Sequence, residues 1–373
     1  MTAILRIVLD QVTELVDTDL AVASQDLARA LTATSPHGCD VEALVPAGSA
    51  TRHAASQAVP GLRGVTALTL RRRELAAAWQ LGVPVGVPGG MIHSPTLMAP
   101  LVRHDRTHDH DQTVVTVWDL RAWEHPVELP KPVVLWHRAM LKRAARYADA
   151  VVVPTHAAAA RVAELAPLGD RIRVIAGAAP ERFAVPTDDV GRRRDLQLPD
   201  GYLLVTGGLE PSGGVVDAFS ALAVAGIETP VVVIDVPDEA VAEVAQAAVS
   251  AGLSDSAVQV RGALDAHDRA AVYGAAVALI APAVRTDFPW RVVEALTLGV
   301  PVVAADTAQH AEVILDGGLL ADPTDPEAFG ARLREALAST EAIDRLAVLA
   351  GDRGRVFSWA GAAELVWQLH ADL

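Results

Sequence analysis

Cysteine and lysine are scarce in this chain of 373 residues. Cys39 is its single cysteine. One thiol excludes an internal disulfide and a cysteine-based metal site, so we expect Cys39 to be a small buried residue. Lys131 and Lys142 are the two lysines, and every other Lys or Arg position holds arginine. Lysine is therefore unavailable for binding an anion anywhere after residue 142.

Long apolar runs are absent as well. No stretch approaches the about 18 apolar residues that a membrane-spanning helix needs. The residues from Met1 to Arg6 show no basic region followed by an apolar segment, so we expect no signal peptide and a location in the cytoplasm or at the inner face of the membrane. The formal net charge of −15 argues against nucleic acid as a partner, because contacts to phosphates dominate that kind of affinity.

Aromatic residues make up 4% of a chain that is 51% hydrophobic and rich in alanine. This composition is typical of an α/β protein whose helices pack through small residues. Predicted strands and helices alternate, which indicates parallel sheets, and ligands of such sheets bind beyond the carboxyl ends of the strands. The length predicts more than one domain. We expect one domain over 1–175, a proline-containing linker over 176–201, a second domain over 202–355 and a final segment over 356–373.

One stretch from Ala278 to Ala305 has the pattern of a strand, a loop, a helix that ends at Gly299 and a second strand. It resembles the donor-site signature of the retaining glycosyltransferases of family 4, P-S-x-x-E-G-F-G-x-x-x-x-E-A-x-x-x-G-x-P-V. The residues that match are Pro282, Phe288, Glu294, Ala295, Gly299, Pro301 and Val302. The first acidic position and the two glycine positions of the signature hold Thr286, Asp287 and Pro289.

This resemblance implies the GT-B fold, with two Rossmann-like doubly wound domains facing a central cleft and a C-terminal helix that crosses back to the N-terminal domain. It implies a nucleotide or nucleotide-sugar ligand and no requirement for a metal or another cofactor. By the same resemblance, Glu294 would hold the ribose hydroxyls of the donor, and Thr286 and Phe288 would belong to the donor site. Arg285, in the same loop, matches no fixed position of the signature, and we expect it in the donor site as a replacement cation.

A second part of the resemblance lies at the start of the second domain, in the turn after the strand from Tyr202. The family pattern there is G-R-L-x-x-x-K-G, in which Arg and Lys hold the donor diphosphate. Gly207, Leu209 and Gly214 match the pattern, whereas Gly208 stands at the Arg position and Gly213 at the Lys position. Each lost cationic contact would weaken donor binding by roughly 1.5–3 kcal/mol unless another cation replaces it.

In the first domain, the resemblance assigns Asp10 and His93 to the acceptor side and Trp118 and Asp119 to the catalytic position. Asp10 begins a loop that is acidic and lacks glycine, which would repel a diphosphate. The family has His-Asp where this chain has Trp118-Asp119. An indole cannot accept a proton, although it could stack on a sugar or simply fill the floor of the site.

Two further charged segments have competing interpretations. Arg71, Arg72 and Arg73 form a basic patch that suits peripheral contact with an anionic membrane or a solvated corner between a strand and a helix. His108 and His110 alternate with aspartates, but no distant set of ligands accompanies them, so we expect a solvated loop and no metal site.

The residues leave three functions open. The first is transfer of a sugar from a nucleotide-sugar donor to an envelope glycan or lipid acceptor. The second is a catalytically degraded homologue that acts as a partner subunit of an active glycosyltransferase, and the third is a nucleotide-sugar sensor. The enzyme hypothesis needs a replacement for the lost cations, for which Arg285, Arg291 and Arg261 are the candidates.

Overall fold

The computed structural model describes residues 2–373 and divides the chain into two compact units. The first unit runs to Ala178 and also contains Ser358–Leu373. The second unit is Ala179–Phe357.

The strands are β1 (Ala3–Val8), β2 (Cys39–Val45), β3 (Gly64–Ala67), β4 (Met91–Ser94), β5 (Gln112–Thr116), β6 (Ala150–Val153), β7 (Ile172–Val174), β8 (Tyr202–Val205), β9 (Val231–Val233), β10 (Val258–Val260), β11 (Ala276–Ala281), β12 (Val302–Ala305) and β13 (Gly318–Ala321). The α-helices are α1 (Thr18–Ala33), α2 (Thr51–Ala58), α3 (Arg72–Leu81), α4 (Arg121–Glu124), α5 (Lys131–Tyr147), α6 (His156–Leu165), α7 (Asp189–Asp195), α8 (Val215–Ala225), α9 (Val241–Ser250), α10 (Ala266–Tyr273), α11 (Trp290–Thr297), α12 (Ala308–Ile314), α13 (Pro326–Ala336), α14 (Thr340–Gly354) and α15 (Trp359–Asp372). Short 3₁₀ turns lie at Pro126–Glu128, Gly169–Arg171, Asp238–Ala240 and Asp255–Ala257.

Each unit is built around one sheet in which every recorded strand pair is parallel. The first sheet has the order β3-β2-β1-β4-β5-β6-β7, and the second has the order β10-β9-β8-β11-β12-β13. The interior strands β6 and β8 consist of buried side chains, because helices cover both faces of a parallel sheet. Both sheets reverse strand order beside their first strand, which is where α/β proteins bind ligands.

The final helix α15 packs on α1 within the first unit. Trp367 donates its indole N–H to the carbonyl of Leu31 at 3.2 Å. Gln112 of β5 donates to the carbonyl of His370 at 3.2 Å, and the His370 ring lies 2.9 Å from the Gln112 side-chain oxygen. The C-terminal segment thus belongs to the N-terminal unit, as the GT-B resemblance implied.

In the second unit, α11 is held closely against α14. A Cβ on Gly354 would lie 2.3 Å from the carbonyl oxygen of Leu296, so the two helices approach at a distance that only glycine allows. This contact fixes the helix that carries Glu294.

Two local expectations need revision. Cys39 begins β2 and is only partly buried, because it lies at the start of the strand rather than in its buried centre. The segment predicted to be a linker contains α7, which is tied to the second unit by Arg192, 2.7 Å from Asp268. The sequence does not predict this helix, because Arg192, Arg193 and Arg194 give it little apolar periodicity.

Two buried histidines, His93 of β4 and His370 of α15, face each other in the first unit. The rings of His93 and His370 lie 5.6 Å apart, and burial lowers the pKa of both, that of His370 to about 4. The native state therefore binds a proton less readily than the unfolded chain, whose histidines titrate near 6.5. The contribution of these neutral rings to the free energy of unfolding is complete above pH 6.5 and is lost as the pH falls toward 4.

We expect the free energy of unfolding to fall by about 3 kcal/mol between pH 6.5 and pH 4 on account of His370 alone. Urea denaturation followed by tryptophan fluorescence would measure it, since Trp290 is the single one of the seven tryptophans outside the first unit. His370→Gln should flatten this dependence, whereas His53→Gln, on the exposed face of α2, should not. An equal slope in both variants would contradict the assignment.

Candidate functional site

A pocket of about 680 Å³ opens at the carboxyl ends of β1, β4 and β5 in the first unit. Its wall is mostly apolar and includes Leu97, Met98 and Trp136. The polar and charged side chains around it are Asp10, Gln11, Asp17, Arg72, Arg73, Thr96, Thr116, Asp119, Arg121 and His137. An apolar wall with a few convergent polar groups is the usual form of a small-molecule site.

Asp10 lies directly after β1 and is 4% exposed. Two nitrogens of Arg72 lie 2.9 and 2.8 Å from one of its oxygens. Burial raises the pKa of Asp10, and the Arg72 cation opposes that rise. The first loop was expected to repel a diphosphate, but Arg72 neutralises its innermost carboxylate. Arg72 is therefore part of the pocket rather than of an exposed basic patch, and of the three arginines only Arg71 and Arg73 are exposed.

Trp118 and Asp119 follow β5 and line the same pocket. Trp118 is 7% exposed and donates its indole N–H to the carbonyl of Pro95 at 2.7 Å, which fixes the ring. One oxygen of Asp119 accepts from the Arg121 amide and the other from its guanidinium, both at 2.6 Å. The position predicted to be catalytic thus holds an indole and a carboxylate that is paired with a cation.

His93 was predicted on the acceptor side, but the structure does not place it in the pocket. It lies inside β4 with 0% exposure and faces His370 of α15. The resemblance that assigned His93 to the acceptor side does not reveal the direction in which this ring points.

His137 lines the pocket and was not identified from the sequence. Its Nδ1 lies 2.8 Å from the carbonyl of Val133, and burial lowers its pKa, so the ring is neutral near pH 7. The one sequence signal is that Val133, Trp136 and His137 share a face of α5 at helical spacing.

The second unit contains a glycine turn over residues 207–214, between β8 and α8. Gly207 has φ of 136° and Gly214 has φ of 71°, values that favour glycine. A Cβ on Gly207 would lie 2.4 Å from the carbonyl oxygen of Gly213, and one on Gly214 would lie 2.5 Å from that of Pro282. The turn therefore presses its backbone against the loop that follows β11.

Glu210 occupies the space in which the family pattern has a cation. A Cβ on Gly208 would lie 1.9 Å from a carboxylate oxygen of Glu210, and one on Gly213 would lie 2.6 Å from the backbone of Gly208. Glu210 leaves no room for a long side chain at Gly208 while it keeps this conformation, and the backbone of Gly208 leaves none at Gly213. The turn presents a carboxylate where a diphosphate-binding turn presents a guanidinium.

The arginines proposed as replacements all have partners within the second unit. Arg285 lies 2.9 Å from Glu210 and 3.0 Å from Asp287. Arg261 donates to the carbonyl of Leu196 at the end of α7. Arg291 pairs with Asp235 and, at 3.1 Å, with Glu294. Of these, Arg285 is the one beside the glycine turn.

Glu294, the predicted ribose ligand, is 1% exposed. Arg269 of α10 holds it with two nitrogens at 2.8 Å, one to each carboxylate oxygen. Arg269 also lies over the Phe183 ring, 5.9 Å from its centroid, and donates to the carbonyl of Leu264. Arg269, Glu294, Arg291 and Asp235 form a charge cluster in which two cations balance two anions.

The remaining donor-side predictions, Thr286 and Phe288, lie in the loop after β11. Phe288 is buried and packs edge-on against Trp290 and Phe357, with centroids 4.6 and 6.5 Å apart. Thr286 is partly buried. Phe288 therefore shapes the loop, and its ring is not available to stack on a ligand.

Comparison with known proteins supports the resemblance seen in these residues. The family described as "Glycosyl transferases group 1" matches residues 215–339. O-antigen chain mannosyltransferase B of Escherichia coli is 32% identical over 89 residues, which cover 24% of this chain and 23% of the mannosyltransferase.

Solved structures match over the full length. Anabaena HepE in complex with UDP and glucose superposes with a TM-score of 0.73 at 16% identity and 100% coverage of both chains. Sucrose-phosphate synthase from Thermosynechococcus elongatus superposes with a TM-score of 0.70 at 18% identity, covering 100% of this chain and 99% of the synthase. The chain has the GT-B fold and resembles the group 1 glycosyltransferases.

Residues 2–373 contain neither a membrane-spanning helix nor a metal-binding cluster. None of their helices combines the length and the apolar character needed to cross a membrane. The same residues contain no group of three or more His, Cys, Asp or Glu side chains placed to hold a metal ion.

The charge cluster around Glu294 should contribute to the free energy of unfolding of this GT-B protein. Arg269→Met should lower the free energy of unfolding by about 3–5 kcal/mol, because it removes the main partner of a buried carboxylate. The double variant Arg269→Met with Glu294→Met should recover most of that loss. It removes the buried carboxylate together with its partner, and Arg291 stays paired with Asp235.

Urea denaturation followed by circular dichroism would measure both effects. Arg332→Met is the matched control, because Arg332 forms an exposed pair with Glu335 at 2.7 Å and its loss should cost about 1 kcal/mol or less. A single variant as stable as this control would show that Arg269 is not needed to balance Glu294.

Proposed function

We propose that this protein transfers a sugar from a nucleotide-sugar donor to an acceptor bound in the pocket of the first unit. The observation that carries the proposal is the glycine turn over 207–214, which keeps positive φ at Gly207 and Gly214 before the N-terminus of α8. The positive end of a helix and the N–H groups of its first turn are suited to a phosphate. HepE, a structural neighbour over the full length, was solved with UDP and glucose.

In this proposal the donor's bond between sugar and phosphate breaks, a hydroxyl oxygen of the acceptor forms the new bond to the sugar, and the hydroxyl proton passes to the leaving diphosphate. The leaving diphosphate needs cationic stabilisation, for which Arg285 is the guanidinium beside the glycine turn. Because Glu210 and Asp287 hold Arg285, donor binding requires the diphosphate to displace Glu210. Exchange of one anionic partner for another keeps Arg285 paired throughout.

The acceptor would lie beside Trp118, with polar groups held by Asp10, Arg72 and Thr96 and an apolar portion against Leu97 and Trp136. This combination suits an envelope glycan linked to a lipid. Arg73 lines the pocket and is exposed, so it would meet an anionic acceptor or an anionic membrane surface at the mouth.

A non-catalytic homologue is the second candidate, and the carboxylate of Glu210 favours it. An anion in the diphosphate turn, a neutralised Arg285 and an indole at Trp118 each weaken a step of glycosyl transfer. In that case the chain would serve as the partner subunit of an active glycosyltransferase, or as a sensor if it binds nucleotide without transferring sugar.

Calorimetric titration with UDP, GDP, ADP and dTDP tests the proposal. Glu210→Gln should tighten binding of the preferred nucleotide by about tenfold or more, because it removes an anion that competes for Arg285. Glu243→Gln makes the same charge change on the exposed face of α9 and should leave the affinity unchanged.

Three outcomes separate the functions. Nucleotide binding with donor hydrolysis by the purified chain supports the enzyme, and binding without hydrolysis supports the sensor. No binding by either the original chain or Glu210→Gln would refute both. The partner subunit would then be sought by co-purification of a second glycosyltransferase.

A further inference from the structure

A second cleft lies in the first unit, at the opposite ends of its strands from the pocket just described. Its volume is about 810 Å³. Its lining comes from the segments that lead into β5, β6 and β7, together with the end of α15. The pocket beside Trp118 lies at the carboxyl ends of strands, whereas this cleft lies at amino ends, so the two are separate sites.

Arginine dominates the lining of this cleft. The five that line it are Arg103, Arg106, Arg146, Arg171 and Arg173. Such a concentration is unexpected in a chain with 31 Lys and Arg residues against 46 Asp and Glu residues. We refer to this site as the arginine cleft.

One of these arginines has a structural role. Arg171 donates to the carbonyls of Ala148 and Ala145 at 2.7 Å, and so completes the hydrogen bonding at the end of α5. Its charge still faces the cleft, but its geometry is fixed by the fold.

The other four are exposed, and none forms an ion pair with a carboxylate of residues 2–373. Arg146 lies over the Tyr147 ring, 5.2 Å from its centroid, and Arg173 donates to backbone carbonyls. By contrast, arginines beside the glycine turn and in the Glu294 cluster are matched with carboxylates. Arg269, Arg285 and Arg291 of the second unit therefore have carboxylate partners, whereas the four exposed arginines of this cleft do not.

Three aspartates also line the arginine cleft: Asp149, Asp170 and Asp372. Asp149 is occupied, because one of its oxygens lies 2.8 Å from the His104 ring and 2.7 Å from the Thr113 amide. The five arginines exceed the three aspartates, so the cleft carries a local positive charge on a protein whose formal net charge is −15.

We propose that the arginine cleft binds a phosphate-bearing anion. Guanidinium groups match the oxygens of phosphate with paired hydrogen bonds, and several of them around a concave surface suit an anion with more than one charge. The anion is either a free phosphate compound or the phosphate headgroup of a lipid. A cleft of this volume encloses a small anion, and the acidic remainder of the surface repels a long nucleic acid.

Binding to inorganic pyrophosphate and to vesicles distinguishes the two sources. Pyrophosphate would be titrated calorimetrically into the full chain, and sedimentation would follow binding to phosphatidylcholine vesicles with and without phosphatidylglycerol. Saturable pyrophosphate binding alone identifies a free anion, whereas binding only to the phosphatidylglycerol vesicles identifies a lipid headgroup. Absence of both overturns the proposal.

Charge-reversal variants test whether the anion binds in the arginine cleft. Arg146→Glu and, independently, Arg106→Glu should each weaken it by about tenfold or more. Arg345→Glu is the matched control, since Arg345 is an exposed arginine of α14 in the second unit. Equal weakening in all three variants would reveal a general charge effect and overturn the proposal. Two positions are used because Arg106 lies in a loop, where substitution leaves α5 intact.

Discussion

Glu294 lies almost fully buried between Arg269 of α10 and Arg291 of its own helix, and the architecture of the second unit depends on this contact. A buried carboxylate is costly unless cations and hydrogen bonds compensate it. Arg291 carries the compensation on to Asp235, which follows β9. The Glu294 carboxylate thus joins α10 to α11 and, through Arg291, both helices to the carboxyl end of β9.

The same contact changes what Glu294 can do for a ligand. Its oxygens already accept hydrogen bonds from two guanidinium groups. A ribose would have to compete with charge-assisted bonds, which are about twice as strong as neutral ones. Glu294 is thereby better suited to orient Arg269 and Arg291 than to bind the sugar directly.

The sequence was informative where local chemistry decides the structure. Gly207 and Gly214 stand in a turn whose φ values favour glycine, and the alternation of apolar strands and helices predicted two parallel sheets. It was uninformative about partners such as Arg269 and Glu210. Any arginine or glutamate near a loop has the same local pattern, and its contacts depend on residues about 25 or 75 positions away, as for Arg269 with Glu294 and Arg285 with Glu210. His93 shows the same limit, because strand periodicity does not reveal that a distant helix covers its ring.

Charge matching relates the glycine turn to its neighbours. Without Glu210 and Asp287, Arg285 would be an unpaired cation beside the glycine turn. Such pairing is the state expected of a site awaiting an anion and equally of one that has lost its ligand. The difference lies in Glu210, which can be displaced because it is partly exposed, with 35% of its side chain accessible. An incoming diphosphate carries more charge than Glu210 and can contact the α8 N-terminus as well, so exchange is favoured wherever the turn still admits the ligand.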